Sequence, residues 1–167
     1  MLRDTGGGLA YAEPFLKDAK EGRFLIHNVD ILSNLDFKWL DSAIPEDSVA
    51  NVIVSPRKTS RYFLFNDEMR LVGWTNISTG EVKSPYAHLD VDACHKFAFA
   101  GMHVDSVGIF DLFKKRKVND SFPIVDFYLS ICKDYPVYGI VPENLTLIDV
   151  GKLETISVAE DFIRNRK

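Results

Sequence analysis

Two aspartates stand where a carboxylate could do chemistry. Asp30 closes the short apolar run Phe24 to Ile31, Phe-Leu-Ile-His-Asn-Val-Asp-Ile, and Asp149 follows the apolar run Leu145 to Ile148. Arg23 to Asn28 has the length and composition of a strand buried in a sheet, which sets Asp30 at its carboxyl end. In open α/β sheets ligands bind at that end. Asp149 repeats the arrangement, with the turn Asp149-Val150-Gly151-Lys152 and an amphipathic stretch, Leu153 to Ile163, behind it. Two carboxylates so placed suit Mg²⁺, a hard ion often held by one or two carboxylates while phosphates and water complete its octahedron. Such an ion would offset charge developing at a phosphoryl group under attack. The same spacing also fits two aspartates that each cap a helix.

Three further stretches could contact a ligand. Asp4 to Leu9, Asp-Thr-Gly-Gly-Gly-Leu, reads as a glycine loop feeding a helix over Leu9 to Phe15. Such a loop can meet a phosphate or a base edge closely, or simply be a flexible start to the chain. It is neither a Walker loop nor a GxGxxG fingerprint. Gly101 interrupts the strand Lys96 to Val104, where a glycine marks a bulge or a close approach to the backbone. Asp126 lies in the first turns of a helix over Ser121 to Lys133, for which Ser121 is the expected cap, and Trp74 either stacks on a sugar or base or is a buried strand aromatic.

The elements that must position these residues alternate in type. A helix over Asn34 to Ala43, a strand over Val49 to Val54, a hairpin of Arg61 to Phe65 with Leu71 to Thr75, an exposed excursion over Asn76 to Asp92, and a helix from Ser106 through Phe113 precede the strands Pro136 to Val141 and Leu145 to Ile148. This is the pattern of an α/β chain with a mixed, mainly parallel sheet. At 167 residues and 46% hydrophobic the chain is of single-domain size, residues 1–167.

Lys and Arg total 20 against 24 Asp and Glu, a formal charge of -4, and the longest basic cluster, Lys114 to Lys117, is best read as complementing a helix C-terminus. Sequence-independent nucleic-acid binding is therefore not expected. Cys94 and Cys132 lie far apart without zinc-ligand spacing. There is no apolar run of about 18 residues and no signal-peptide core, so the expected location is cytoplasmic, without membrane contact.

Taken together, the motifs occur in a recognisable order: Asp4 to Leu9, His-Asn-Val-Asp-Ile at His27 to Ile31, Phe-Ala-Gly-Met-His-Val at Phe99 to Val104, Phe-Pro-Ile-Val-Asp-Phe-Tyr at Phe122 to Tyr128, and Leu-Ile-Asp-Val-Gly-Lys-Leu-Glu at Leu147 to Glu154. Over nearly its whole length the chain resembles the sugar-1-phosphate nucleotidyltransferases, especially the bacterial branch with mannose-1-phosphate guanylyltransferases and N-acetylmuramate-1-phosphate uridylyltransferases. The resemblance implies a Rossmann-like nucleotidyltransferase fold. It also implies transfer of a nucleoside monophosphate from an NTP to a sugar 1-phosphate, with release of pyrophosphate. By the same comparison Asp30 and Asp149 hold Mg²⁺. Gly6, Gly7 and Gly8 lie near the nucleotide base and Gly101 faces the sugar. Asn28 and Asp126 contact substrate.

The family's opening strand, its glycine-rich loop with an arginine and its Pro-Lys segment have no counterpart in this sequence, which reads as an N-terminally truncated version of the domain. Its Glu-Lys-Pro segment is represented only by the charges of Gly80-Glu81-Val82-Lys83. The expectation is a chain that keeps a metal site and part of a sugar site and is weakly active or inactive alone. An exposed strand edge through which it could self-associate is also expected. A non-catalytic sugar-phosphate binder and an unrelated α/β interaction module are the alternatives.

Overall fold

A computed structural model of the protein describes residues 2–151 and 155–164. Helices α1 (Asp4–Tyr11) and α2 (Glu13–Leu16) lead through a 3-10 turn (Lys20–Gly22) into β1 (Arg23–His27), β2 (Ile31–Ser33), α3 (Phe37–Ala43) and β3 (Ala50–Ser55). β4 (Arg61–Phe65), β5 (Leu71–Asn76), β6 (Glu81–Lys83) and the 12-residue β7 (His95–Ser106) follow. The chain closes with α4 (Ile109–Arg116), α5 (Ile124–Ile131), β8 (Val137–Ile140), β9 (Leu147–Asp149) and α6 (Ile156–Arg164). Lys152 and Leu153, expected in the last turn and helix, lie outside the described residues.

The main sheet runs β6-β5-β4-β7-β3-β8, with β1 also on β7, and β2 with β9 forms a separate two-stranded ribbon. The fold is mixed α/β, as expected, but the parallel share is smaller. Only β3 and β8 pair in parallel among the described ladders. Two of the antiparallel ladders, β4 with β5 and β5 with β6, follow from short connections, because tight turns can join only antiparallel neighbours. Asn66 donates to the Arg70 carbonyl at 3.1 Å to close β4 onto β5, and Gly80, at φ +74°, donates to Asn76 at 2.8 Å to close β5 onto β6.

The strand buried on both faces is β3, not β1. All of β3 is buried, with Val52 and Val54 in one core and Ile53 in the other. The first core packs α1, α4 and α5 on one side of the sheet; the second lies under α3, with Leu35, Leu40 and Ile44 meeting Met102 and Val104. In β1 only Phe24 is buried, stacked on Phe110 at 5.4 Å, and β1 has a ladder on one edge only among the described residues. Among the described residues β1 is thus an edge strand.

β7 ties these parts together. Its pairing with β3 slips between Val52, opposite His103, and Val54, opposite Phe99. The extra residues bulge out around Gly101, whose φ of +74° is the left-handed conformation a glycine tolerates. Further along, His103 and Asp105 point into the first core and meet Tyr128 of α5. The Tyr128 hydroxyl donates to Asp105 at 2.8 Å and lies 2.6 Å from His103 Nδ1. Burial and the Asp105 carboxylate hold the Tyr128 hydroxyl well above the usual tyrosine range, so it stays a proton donor. This network fixes the height of α5 on the sheet.

Helix starts differ from expectation in detail. α5 begins at Ile124, later than Ser121, and its first amide donates to the Thr5 hydroxyl of α1 at 3.0 Å. α3 is capped by Asp36, which accepts from Lys38 at 2.8 Å and Trp39 at 3.2 Å. No helix among the described residues is long and apolar enough to cross a membrane.

Candidate functional site

A cleft of about 780 Å³ opens on one face of the sheet where β7 is bare. β4 pairs with residues 95–97 of β7 and β1 with residues 102–106, so residues 98–100 are covered by neither. Asn28, just past β1, donates its backbone N–H to the Gly101 carbonyl at 2.9 Å and closes the gap at one end. A Cβ on Gly101 would sit 3.1 Å from the Asn28 amide nitrogen. The bulge thus brings backbone and carboxamide into contact at the cleft wall, the close approach expected of Gly101.

Asp30 and Asp149 meet at the same end, by a different route from the one expected. Asp30 does not close a buried strand; it occupies the turn between β1 and β2. Asp149 is the last residue of β9, opposite Ile31 in the β2·β9 ribbon. The Asp30 carbonyl accepts from Val150 N at 2.8 Å, which pins the two chain segments together. The Gly151 turn then gathers the side chains: the position a Cβ would occupy on Gly151 is 3.1 Å from Asp149 Oδ1 and 3.5 Å from Asp30 Oδ2. Among the described residues neither carboxylate caps a helix: Asp149 Oδ1 accepts from Gly151 N at 3.0 Å, within its own turn. Both residues are exposed and line the cleft. Among the described residues no group of three or more His, Cys, Asp or Glu is placed to hold a metal, so any ion here would have two carboxylates and complete its shell from the cleft. That all-oxygen set is one a hard divalent cation accepts.

The floor is built by strand periodicity. The ladders set Arg61 opposite Asn76 and Asn76 opposite Glu81, and set Phe63 opposite Trp74 and Trp74 opposite Lys83. Alternation puts all six on one face, and all six line the cleft. Trp74 is therefore half-exposed on the floor with the Lys83 ammonium 5.4 Å from its ring centroid, a surface on which a sugar ring can stack. Lys83 also binds Asp126 Oδ1 at 3.0 Å, joining β6 to the first turn of α5. Asp126 lines the cleft with its carboxylate already paired.

Gly6, Gly7 and Gly8 are not brought to the cleft. They lie inside α1, not in a loop ahead of it, and Gly6 and Gly7 are buried against residues 120–122. A Cβ on Gly6 would come within 2.2 Å of the Phe122 ring, and one on Gly7 within 2.3 Å of the Asp120 carbonyl oxygen, so here the missing side chains permit helix packing. Gly6 and Gly7 amides share the Phe122 carbonyl, at 2.9 and 3.3 Å. Sequence reasoning missed Arg57 and Arg61, both of which line the cleft. The signal for Arg61 was available: it shares strand parity with Phe63 and, through the hairpin, with Trp74. The two cysteines stay apart, Cys94 half-buried and Cys132 buried, where desolvation pushes the Cys132 thiol up to about 11.

No protein-family model matches this sequence, and a search of the curated proteins finds no match. Solved structures do match in shape. The inositol-1-phosphate CTP transferase from T. maritima aligns with a TM-score of 0.64 at 15% identity, over 97% of this chain and 63% of that one. A putative glucose-1-phosphate thymidylyltransferase from Bacillus anthracis, in complex with a sucrose, aligns with a TM-score of 0.72 at 13% identity, over 99% and 63%. HddC from Yersinia pseudotuberculosis gives 0.61 at 18%, over 97% and 64%. The chain thus spans less than two thirds of the length of these structures. Over that span it has the mixed α/β fold of these nucleotidyltransferase-like structures.

Proposed function

We propose that this chain carries the sugar-phosphate and metal half of a sugar-1-phosphate nucleotidyltransferase site. The observation that carries the reading is the convergence of Asp30 and Asp149 at Gly151, beside Asn28 and Gly101, at one end of a cleft floored by Trp74. In the proposed reaction an oxygen of the sugar 1-phosphate attacks the α-phosphorus of an NTP, a P–O bond forms, and pyrophosphate leaves. Mg²⁺, bound by Asp30 and Asp149 with phosphate oxygens, would supply the positive charge that this transfer requires. Asn28, held by its backbone bond to Gly101, and the exposed carbonyl edge of β7 orient the sugar hydroxyls. The aromatic face of Trp74 excludes water from one side of the ring.

Isothermal calorimetry with a panel of hexose 1-phosphates tests this. At least one should bind in the micromolar to millimolar range typical of enzyme substrates, roughly 1 μM to 1 mM, and chelation of Mg²⁺ should weaken it at least about tenfold. No binding by any of them in the presence of Mg²⁺ would overturn the reading. Pyrophosphate release on adding NTPs separates the transferase from a non-catalytic binder built on the same cleft.

The partner proposed besides substrate is a second copy of the chain, paired through the open edge of β1. Leu25, at the middle of that strand, is 40% exposed and would be buried by such pairing. Light scattering should show a dimer that Leu25→Lys converts to monomer. A wild-type monomer at all accessible concentrations would remove this proposal and leave the site untouched.

A further inference from the structure

Two guanidinium groups in the cleft have no ion pair among the described residues. Arg57 donates to the Phe99 carbonyl at 3.0 Å, on the bare stretch of β7, and has no ion pair among the described residues. Arg61, the first residue of β4, lines the same cleft. Phe63 pairs with Phe97, so the antiparallel register carried two residues further sets Arg61 level with Phe99. Its side chain makes no ion pair or hydrogen bond among the described residues, and Asn76 separates it from Glu81 in the cross-strand row. Lys83, the remaining cation of the floor, is already matched by Asp126. Glu81, also on the floor, stands two strands away from Arg61. Asp30 and Asp149 lie beyond Asn28 at the Gly101 end, and Arg57 is bonded to Phe99, two residues earlier on β7.

We propose that Arg57 and Arg61 form an oxyanion subsite that reads an acidic group on the acceptor other than its 1-phosphate. This rests on the reading above, in which the 1-phosphate lies at the Asp30 and Asp149 end. Two guanidiniums lining one cleft, neither with a carboxylate partner among the described residues, offer the planar, bidentate donors that a carboxylate or phosphate accepts. Arg57 is aimed by its bond to Phe99, so it needs little ordering when an anion arrives. A neutral hexose 1-phosphate leaves both cations unmatched; a sugar bearing a carboxylate or a second phosphate across the ring satisfies them.

Calorimetry with glucose 1-phosphate, glucuronic acid 1-phosphate and glucose 1,6-bisphosphate, all with Mg²⁺, decides the matter. Wild type should bind at least one of the two acidic compounds about tenfold or more tightly than glucose 1-phosphate. Whichever is favoured identifies the group read, carboxylate or phosphate. Arg61→Gln should abolish that preference and leave glucose 1-phosphate within about twofold. Arg61→Lys, which keeps the charge without the fork, should retain only part of it. Both arginines are exposed, so the unfolding midpoint of each variant should match wild type. Equal weakening of all three ligands in Arg61→Gln would mean that the pair holds the 1-phosphate, and would overturn the proposal while sparing the proposed function. Equal wild-type affinities would also overturn it alone. Failure of all three compounds to bind would overturn both.

Discussion

Asp149→Asn and Asp30→Asn are each expected to reduce Mg²⁺-dependent binding of a sugar 1-phosphate, and any turnover, by about a hundredfold or more while the fold stays intact. The loss follows from what the carboxylates do. An ion held by two carboxylates loses half of its protein charge when one becomes an amide, and a hard cation has little affinity for the neutral oxygen left behind. The fold is spared because the substitution is nearly isosteric and because the bonds that position these residues use other atoms. Asp30 is tied through its backbone carbonyl to Val150, and Asp149 through the β2·β9 ladder. Its Oδ1 bond to Gly151 N survives in an asparagine. If one ion bridges both groups, the double variant should be little worse than either single one, since neighbours that share a partner are not additive. Two independent caps would instead give small, additive losses of stability and no change in ligand binding, so a differential scan beside the calorimetry separates the two cases.

The second large effect is on stability. Gly7→Ala should destabilise the protein by about 3 kcal/mol, lowering Tm by roughly 6–12 °C for a chain of this size. The new methyl would stand 2.3 Å from the Asp120 carbonyl oxygen. That atom is backbone and cannot swing aside, so α1 must lift off residues 120–122 and loosen Thr5, which holds the first amide of α5. Gly8→Ala is the internal control. It has open space around it in the same helix, so alanine should be neutral or stabilise by about 0.5–1 kcal/mol. If the glycines instead served a nucleotide base by backbone approach, Gly8→Ala would weaken nucleotide binding and Gly7→Ala would leave Tm nearly unchanged. Thermal unfolding of the two variants discriminates directly.

The difference between Gly7 and Asp30 also shows how far the residues could be read without coordinates. Strand periods and turn chemistry marked the hairpin of β4 and β5, the Gly101 bulge and the aspartates at strand ends, because those signals are local. Pairing partners are not local. Arg23 to His27 reads as buried from its composition, yet burial of a strand depends on what lies along both edges, and among the described strands only β3, between β7 and β8, is buried at every residue. The convergence of Asp30 with Asp149 likewise depends on a ribbon joining segments more than 100 residues apart, which spacing cannot encode. Glycines were read as freedom for a loop, when Gly6 and Gly7 serve the opposite purpose, a tight helix contact whose partner, Phe122, lies far away in sequence. Arg57 escaped notice for the same reason: its role comes from the bare stretch of β7, which exists only because β4 and β1 stop short of each other.

The shared ion is the claim on which the functional reading depends, and Mn²⁺ is a paramagnetic substitute for Mg²⁺ that reports its own binding. Titration followed by electron paramagnetic resonance, with a sugar 1-phosphate present, should show one Mn²⁺ bound to wild type and none at the same concentration in Asp30→Asn or in Asp149→Asn. Retention of Mn²⁺ at wild-type affinity by either variant would contradict a site built from both aspartates.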